Sequence, residues 1–77
     1  MNNNNLNIKE LEFAIFCIEN VAEKLNTTGK EIYSLLTKNS QILDEYIIPS
    51  YDVLHTQGKN YIVNDIVEYM TEVGVLQ

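Results

Sequence analysis

IKELEFAIFCIENVAEKL, residues 8–25, is the clearest periodic stretch of the chain, and it decides the fold class. Its apolar residues recur at three- and four-residue spacing, with glutamates and Lys24 on the other face. This period predicts an amphipathic α-helix of about five turns. The stripe predicted to be buried consists of Leu11, Ala14, Ile15, Ile18, Val21, Ala22 and Leu25. Phe13, Phe16 and Cys17 widen the apolar surface, so we expect this helix to be central, with neighbours on more than one side.

Two shorter helices are predicted after a break at residues 26–29. Thr28 and Glu31 have the spacing of a capping box, in which each side chain binds a backbone N–H at the helix start. Ser40 is positioned to cap a third helix, whose first turn carries Asp44. The apolar residues of these two helices are Ile32, Leu35, Leu36, Ile42, Leu43, Tyr46 and Ile47.

The remaining residues predict one short helix and one long helix. Pro49 disfavours helical geometry at Ile48 and suits the first turn of a short helix over residues 50–55. Gly74 predicts a left-handed cap on the final helix, after which the apolar residues that follow fold back onto its last turn. The apolar face of that helix carries Ile62, Ile66, Met70 and Val73, and the residues predicted to face water are Asn64, Asp65, Glu68 and Glu72.

These segments predict an all-α fold, a small single-domain bundle of four or five helices over residues 8–77. A flexible Asn-rich leader is predicted at residues 1–7, because asparagine resists regular helix and the tract has nothing to bury. A chain of 77 residues buries about 63% of its surface on folding, which suffices for one small core and no second domain.

The charge balance and the single cysteine exclude several classes of protein. Eleven acids, five lysines and no arginine give a net charge of −6, which suits neither phosphate backbones nor anionic membranes. No apolar run approaches the ~20 residues that span a bilayer, and the first residues lack a basic-then-apolar signal. One cysteine cannot form an internal disulfide. We expect a small cytoplasmic protein without membrane association, for which nucleic acid is a poor partner.

Residues that could carry catalysis are too few to converge. The only cysteine, Cys17, lies in the apolar body of the first helix, where cysteine behaves as a small hydrophobe. There is no Cys-x-x-Cys pair and no second histidine for a metal. Glycines at 29, 58 and 74 cannot form a phosphate- or dinucleotide-binding loop. The chain is predicted not to be an enzyme, with no catalytic residue, metal or cofactor.

The densest polar and aromatic cluster lies at residues 51–58. His55 has two compatible interpretations: the favoured one is that it hydrogen-bonds the last carbonyls of a helix beside Gly58, and the other is that it faces a protein partner. The five tyrosines exceed what a core of this size can fully bury, and tyrosine suits interfaces. This favours a protein partner or a homodimer. The candidate partner-binding residues are Tyr51, Asp52, His55, Thr56, Gln57, Tyr61 and Asp65.

A rival interpretation uses residues 21–38 as a helix-turn-helix unit. The apolar spacing across the break fits, and Ala22 is small enough for a close helix crossing. The fit is poor elsewhere, because Asn26 stands where glycine is common and Glu31 would meet DNA with the wrong charge. A capped corner in a small helical domain gives the same pattern through packing alone.

Three stretches resemble a known family. They are the string Tyr-Asp-Val-Leu-His-Thr-Gln-Gly at residues 51–58 with its flanks, the opening at residues 13–23, and the corner at residues 28–33. They resemble a family of short uncharacterised bacterial proteins, a domain of unknown function of about this length. The resemblance covers nearly the whole chain after the leader and implies no established activity. It implies genes beside a family similar to the ADP-ribosyltransferase fold, as in a toxin–antitoxin cassette.

The function predicted is therefore a non-enzymatic protein-interaction module, with the resemblance implying an antitoxin-like partner of an adjacently encoded effector. Acidic charge can steer such a module to a basic surface. We place the interface on residues 51–65. The alternative is a helix-turn-helix-like DNA-binding regulator that uses residues 21–38.

Overall fold

A computed structural model describes residues 8–76, which form four α-helices and one π-helical segment and contain no strand. The elements are α1 (Ile8–Lys24), α2 (Gly29–Thr37), the π-helical segment (Leu43–Ile47), α3 (Tyr51–Leu54) and α4 (Lys59–Glu72). The predicted all-α bundle of four or five helices is confirmed. The leader predicted at residues 1–7 lies outside the described residues.

The turn between α1 and α2 is closed by backbone hydrogen bonds and one side-chain cap. Asn26 adopts φ 58°, a left-handed conformation that asparagine tolerates better than most residues. Thr27 N then donates to the Ala22 carbonyl at 2.9 Å, which satisfies an orphan carbonyl at the end of α1. The Thr28 hydroxyl accepts from Glu31 N at 3.1 Å, so the predicted cap of α2 is present.

The chain between α2 and α3 differs from the sequence prediction at Ile48. Ile48 is helical, with φ −64° and ψ −48°, although the following Pro49 was expected to disfavour that geometry. Ile48 N donates to the Leu43 carbonyl at 3.0 Å, a bond that spans five residues and widens the turn. The physical reason is tertiary packing, because the π-helical turn buries Ile47 completely.

The core shows that the buried face of α1 was predicted wrongly in part. Leu11 and Ile15 are nearly half exposed, whereas Phe13 and Cys17 are buried. The apolar residues of α1 occupy more of its circumference than the neighbouring helices can cover. Packing therefore selects which of them are buried, and it selects the aromatic ring at Phe13. The buried core residues are Phe13, Cys17, Val21, Ala22, Ile32, Leu36, Ile42, Ile47, Leu54, Ile62, Val63, Ile66 and Met70.

The predicted glycine cap of α4 is confirmed. Gly74 has φ +89°, a conformation in which a side chain is strained. Val75 N donates to the Met70 carbonyl at 3.1 Å, and Gly74 N donates to the Thr71 carbonyl at 3.2 Å. These two bonds form a Schellman motif, and they turn Val75 and Leu76 back against the core.

Candidate functional site

The short helix α3 holds Tyr51 between two other rings. Tyr51 is half-buried, and its ring meets Phe13 of α1 edge to face, with centroids 5.4 Å apart. The His55 ring stacks on Tyr51, with centroids 4.2 Å apart and planes inclined by 11°. The contact with Phe13 has the distance of a favourable edge-to-face pair, and the contact with His55 is a closer, nearly parallel stack. Tyr51 is therefore a fixed aromatic surface between α1 and α3.

His55 makes the local hydrogen bond that the sequence favoured. Its Nδ1 lies 2.6 Å from the Tyr51 carbonyl oxygen, one turn back along the chain. Because a carbonyl oxygen can only accept, Nδ1 carries the proton and donates. In the neutral ring this leaves Nε2 as an acceptor on an exposed side chain. His55 thus closes the end of α3 while one nitrogen stays available to a partner.

Thr56 and Gln57 are exposed and also help to end α3. The Thr56 hydroxyl donates to the Val53 carbonyl at 2.9 Å, and Gln57 N donates to the Leu54 carbonyl at 2.9 Å. Asp52 is exposed on the same helix. The two bonds are made by the Thr56 hydroxyl and the Gln57 backbone N–H, and they hold the end of α3 in a defined arrangement.

An open cleft of about 510 Å³ separates the first half of α1 from α3 and the start of α4. Three predicted residues line it: Tyr51, His55 and Gln57. It is also lined by Lys9, Glu12, Phe13, Phe16 and Ile62, which sequence reasoning did not assign to the site. The signal that could have found Phe13 and Phe16 was their position beside the predicted stripe of α1. The lining therefore combines apolar and aromatic side chains with polar and charged ones.

The other predicted residues are not part of the cleft lining. Tyr61 is exposed on the first turns of α4, and Asp65 lies one turn further on. Asp65 does not simply face water as predicted: it is half-buried, and its Oδ2 accepts from the Tyr46 hydroxyl at 2.6 Å. The bond ties the π-helical segment to α4, so Asp65 has a structural role there.

A second aromatic cluster surrounds that hydrogen bond. Tyr46 stacks on Tyr69 with centroids 3.9 Å apart and planes inclined by 5°. Burial, followed by the hydrogen bond to the Asp65 carboxylate and its negative charge, raises the pKa of the Tyr46 hydroxyl above its usual range. The hydroxyl therefore stays protonated and keeps donating at ordinary pH. Sequence analysis missed this cluster because its partners are 19 residues or more apart.

Cys17 is fully buried among core residues, and burial raises the pKa of its thiol from 9.0 to about 12. A thiol whose folded pKa exceeds its unfolded pKa stabilises the fold fully below pH 9, and that contribution is lost as pH rises toward 12.

Accordingly, we expect the free energy of unfolding to fall with pH above 9, with Cys17 contributing on the order of 1 kcal/mol per pH unit. The measurement is urea unfolding at about pH 8 and about pH 10.5 for the wild type and Cys17→Ala. The variant should show the smaller decrease over this interval. Equal decreases in the two proteins would contradict the assignment to Cys17.

The helix corner of the rival interpretation has the structure of an ordinary capped turn. Thr28 caps α2, and α2 packs its buried Ile32 and Leu36 into the core. Lys30 and Lys38 are exposed on or beside α2, together with Glu31. The corner offers few positive charges, and a DNA-binding role for it remains a prediction from the sequence.

Within residues 8–76, no helix is long and apolar enough to cross a membrane, and no three potential ligand residues are grouped to hold a metal ion. The family model described as "Protein of unknown function (DUF3791)" matches residues 12–73, which is most of the chain. No curated protein and no solved structure matches the chain.

Proposed function

The chain belongs to the DUF3791 family, a family described as proteins of unknown function, and from this premise we propose that it is a non-enzymatic protein-interaction module. It binds a protein partner through the cleft between α1 and α3, with Tyr51 as the central contact. The finer proposal is that the partner is an adjacently encoded effector in the cytoplasm, which the chain neutralises as an antitoxin does. That finer role rests on the family resemblance of the sequence.

The observation that carries the proposal is the fixed ring of Tyr51 in an open cleft. A rigid aromatic side chain gives large contact area at low entropy cost, and such residues dominate the energy of protein interfaces. Phe13 and His55 hold this ring in place before any partner arrives. The exposed side chains of His55 and Gln57 provide polar groups in the cleft lining, and polar contacts around an aromatic anchor set the orientation of a partner.

Charge indicates what kind of partner surface fits. Residues 39–77 carry six acids and one lysine, whereas residues 1–38 carry five acids and four lysines. The half of the chain that contains α3 and α4 is therefore the strongly negative half. A partner with a basic surface would be steered toward it, and association would slow as salt is added.

The test is affinity capture from a lysate of the source organism, with and without nuclease, at low and at physiological salt. We expect a stoichiometric protein that survives nuclease treatment. The double variant His55→Ala with Gln57→Ala should capture much less of this protein, because both side chains line the cleft and are exposed. The matched control is Lys30→Ala with Lys38→Ala, which changes the helix corner and should keep the partner.

Other results would contradict the proposal in distinct ways. Recovery of nucleic acid that is lost with salt, and lost again in the lysine variant, would favour the DNA-binding alternative. Equal capture by the cleft variant and the wild type would show that the interface lies elsewhere. If the captured protein is an enzyme, adding this chain at an equal molar amount should inhibit it; unchanged enzyme activity would contradict the antitoxin-like role alone.

A further inference from the structure

One face of α1 presents an apolar stripe that no described element covers. Ile8, Leu11 and Ile15 are 68%, 44% and 46% exposed. Their spacing of three and four residues places them on one side of the helix. The next residue of the same stripe, Ile18, is half-buried against the core, and α2 begins beside it, since a Cβ at Gly29 would lie 3.7 Å from Ile18 Cγ2. The stripe is therefore packed against the domain at Ile18 and exposed at Ile15, Leu11 and Ile8.

A row of carboxylates borders this stripe. Glu12 lies four residues after Ile8, and Glu19 lies four residues after Ile15, so each carboxylate is a neighbour of an exposed apolar side chain. Both glutamates are exposed. Lys9, the basic residue nearest the stripe in sequence, lines the cleft between α1 and α3 on the far side of Glu12, and Glu12 is itself part of that cleft lining. The solvent edge of the stripe is therefore negative.

These two features together identify the occupant. We propose that the exposed stripe of α1 (Ile8, Leu11 and Ile15) binds an amphipathic helix of another protein, whose apolar side chains pack on the stripe and whose flanking lysines or arginines face Glu12 and Glu19. This is the helix-packing mode in which apolar residues recur at i, i+3 or i+4, and i+7. The stripe is a second face of α1: it adjoins the cleft at Glu12, and none of its three apolar residues lines the cleft.

A second copy of this chain fits the stripe poorly. A two-fold dimer sets the same patch against itself, so its carboxylates would face carboxylates. Each copy also carries a net charge of −6, which opposes close approach. Three apolar side chains are far fewer than the roughly 20 residues per side of a stable standard interface. A basic partner relieves the charge cost and extends the contact beyond the stripe.

The test uses a defined probe and does not need the natural partner. The probe is a fluorescently labelled synthetic peptide of roughly 18 residues, about five helical turns, with leucines at heptad spacing and lysines beside them. The control peptide keeps the leucines and replaces every lysine by glutamate. Fluorescence anisotropy with the full chain should give saturable binding of the lysine peptide, about ten-fold or more tighter than the glutamate peptide at low salt.

Variants of the chain then locate the binding. The double variant Leu11→Ser with Ile15→Ser should bind the lysine peptide at least about ten-fold more weakly, because exposed apolar contact area is lost without a change in the core. The matched control, Val53→Ser, removes an exposed apolar side chain on α3 and should change little. Glu19→Lys should weaken binding about five-fold, whereas Glu68→Lys on α4 should not. Circular dichroism of each variant checks that the helices are retained.

Four outcomes would overturn the inference. One is equal binding of the two peptides, and another is full binding by the Leu11→Ser, Ile15→Ser variant. The third is a dimer of the free chain, seen by light scattering, that becomes a monomer in that variant, since the occupant would then be a second copy. Amide chemical-shift changes should fall on residues 8–19. The fourth is a set of changes confined to residues 51–62, the α3 and α4 side of the cleft, which would contradict the stripe while leaving the proposed function standing.

Discussion

Ile66→Ala is expected to destabilise the fold by about 2–5 kcal/mol, because it leaves a cavity in the core as well as removing apolar contacts. Ile66 is fully buried in α4. A domain of 77 residues has a total stability of roughly 4–12 kcal/mol, so this loss is a large part of it. Urea unfolding followed by circular dichroism should show a clearly lower midpoint at unchanged slope.

The matched control is Ile15→Ala, which deletes the same atoms from α1. Ile15 is nearly half exposed, so its removal should cost about 0.5 kcal/mol or less. The periodicity of α1 alone assigned Ile15 to the buried stripe, so this pair also tests the face that the structure buries. A large loss of stability in Ile15→Ala, or a negligible one in Ile66→Ala, would contradict the packing described here.

Tyr51→Ala is expected to weaken binding of the captured protein partner by about 2 kcal/mol or more, which corresponds to roughly a thirty-fold rise in Kd. The substitution removes the central ring of the cleft and both of its aromatic contacts. Tyr51→Phe keeps the ring and its stacking, so it should retain most of the affinity. The measurement is calorimetric titration of the purified partner with each variant.

Stability has to be separated from binding in this test, because Tyr51 is half-buried. Tyr33→Ala is the matched control, since it removes an exposed tyrosine from α2, away from the cleft. Thermal unfolding of each protein shows whether it is folded at the titration temperature. A folded Tyr51→Ala protein with unchanged Kd would exclude the cleft as the interface, whereas a loss of affinity in Tyr33→Ala would place the interface on α2.

The sequence predicted local structure well where the signals were local. The Thr28 cap and the Gly74 turn each depend on a few neighbouring residues, and both are present. The start of α1 at Ile8 is also where the period placed it. The bonds that close these two turns span three to five residues and depend on the type of a neighbouring residue, a threonine before α2 and a glycine after α4, so the sequence pattern contains them.

The candidate site could be predicted only in part, because some of its contacts join residues that are far apart in the sequence. Residues 51–58 are recognisable in the sequence as a polar and aromatic cluster. Three of the seven candidate partner-binding residues line the cleft. Phe13 contacts Tyr51 from 38 positions away in the chain, and Tyr46 reaches Asp65 across 19. No local pattern encodes such pairs, because they form only when separate helices pack.

What the sequence determined by itself is the all-α class, the starts of α1 and α2, the end of α4, and the acidic charge that disfavours nucleic acid. What the tertiary structure decided is which apolar residues are buried. α1 offers more apolar surface than its neighbours can cover, and their packing buries Phe13 and Cys17 and leaves Leu11 and Ile15 in solvent. The sequence shows which residues are apolar, and helical periodicity shows on which side of the helix each one lies. Only the positions of the other helices determine whether water reaches that side.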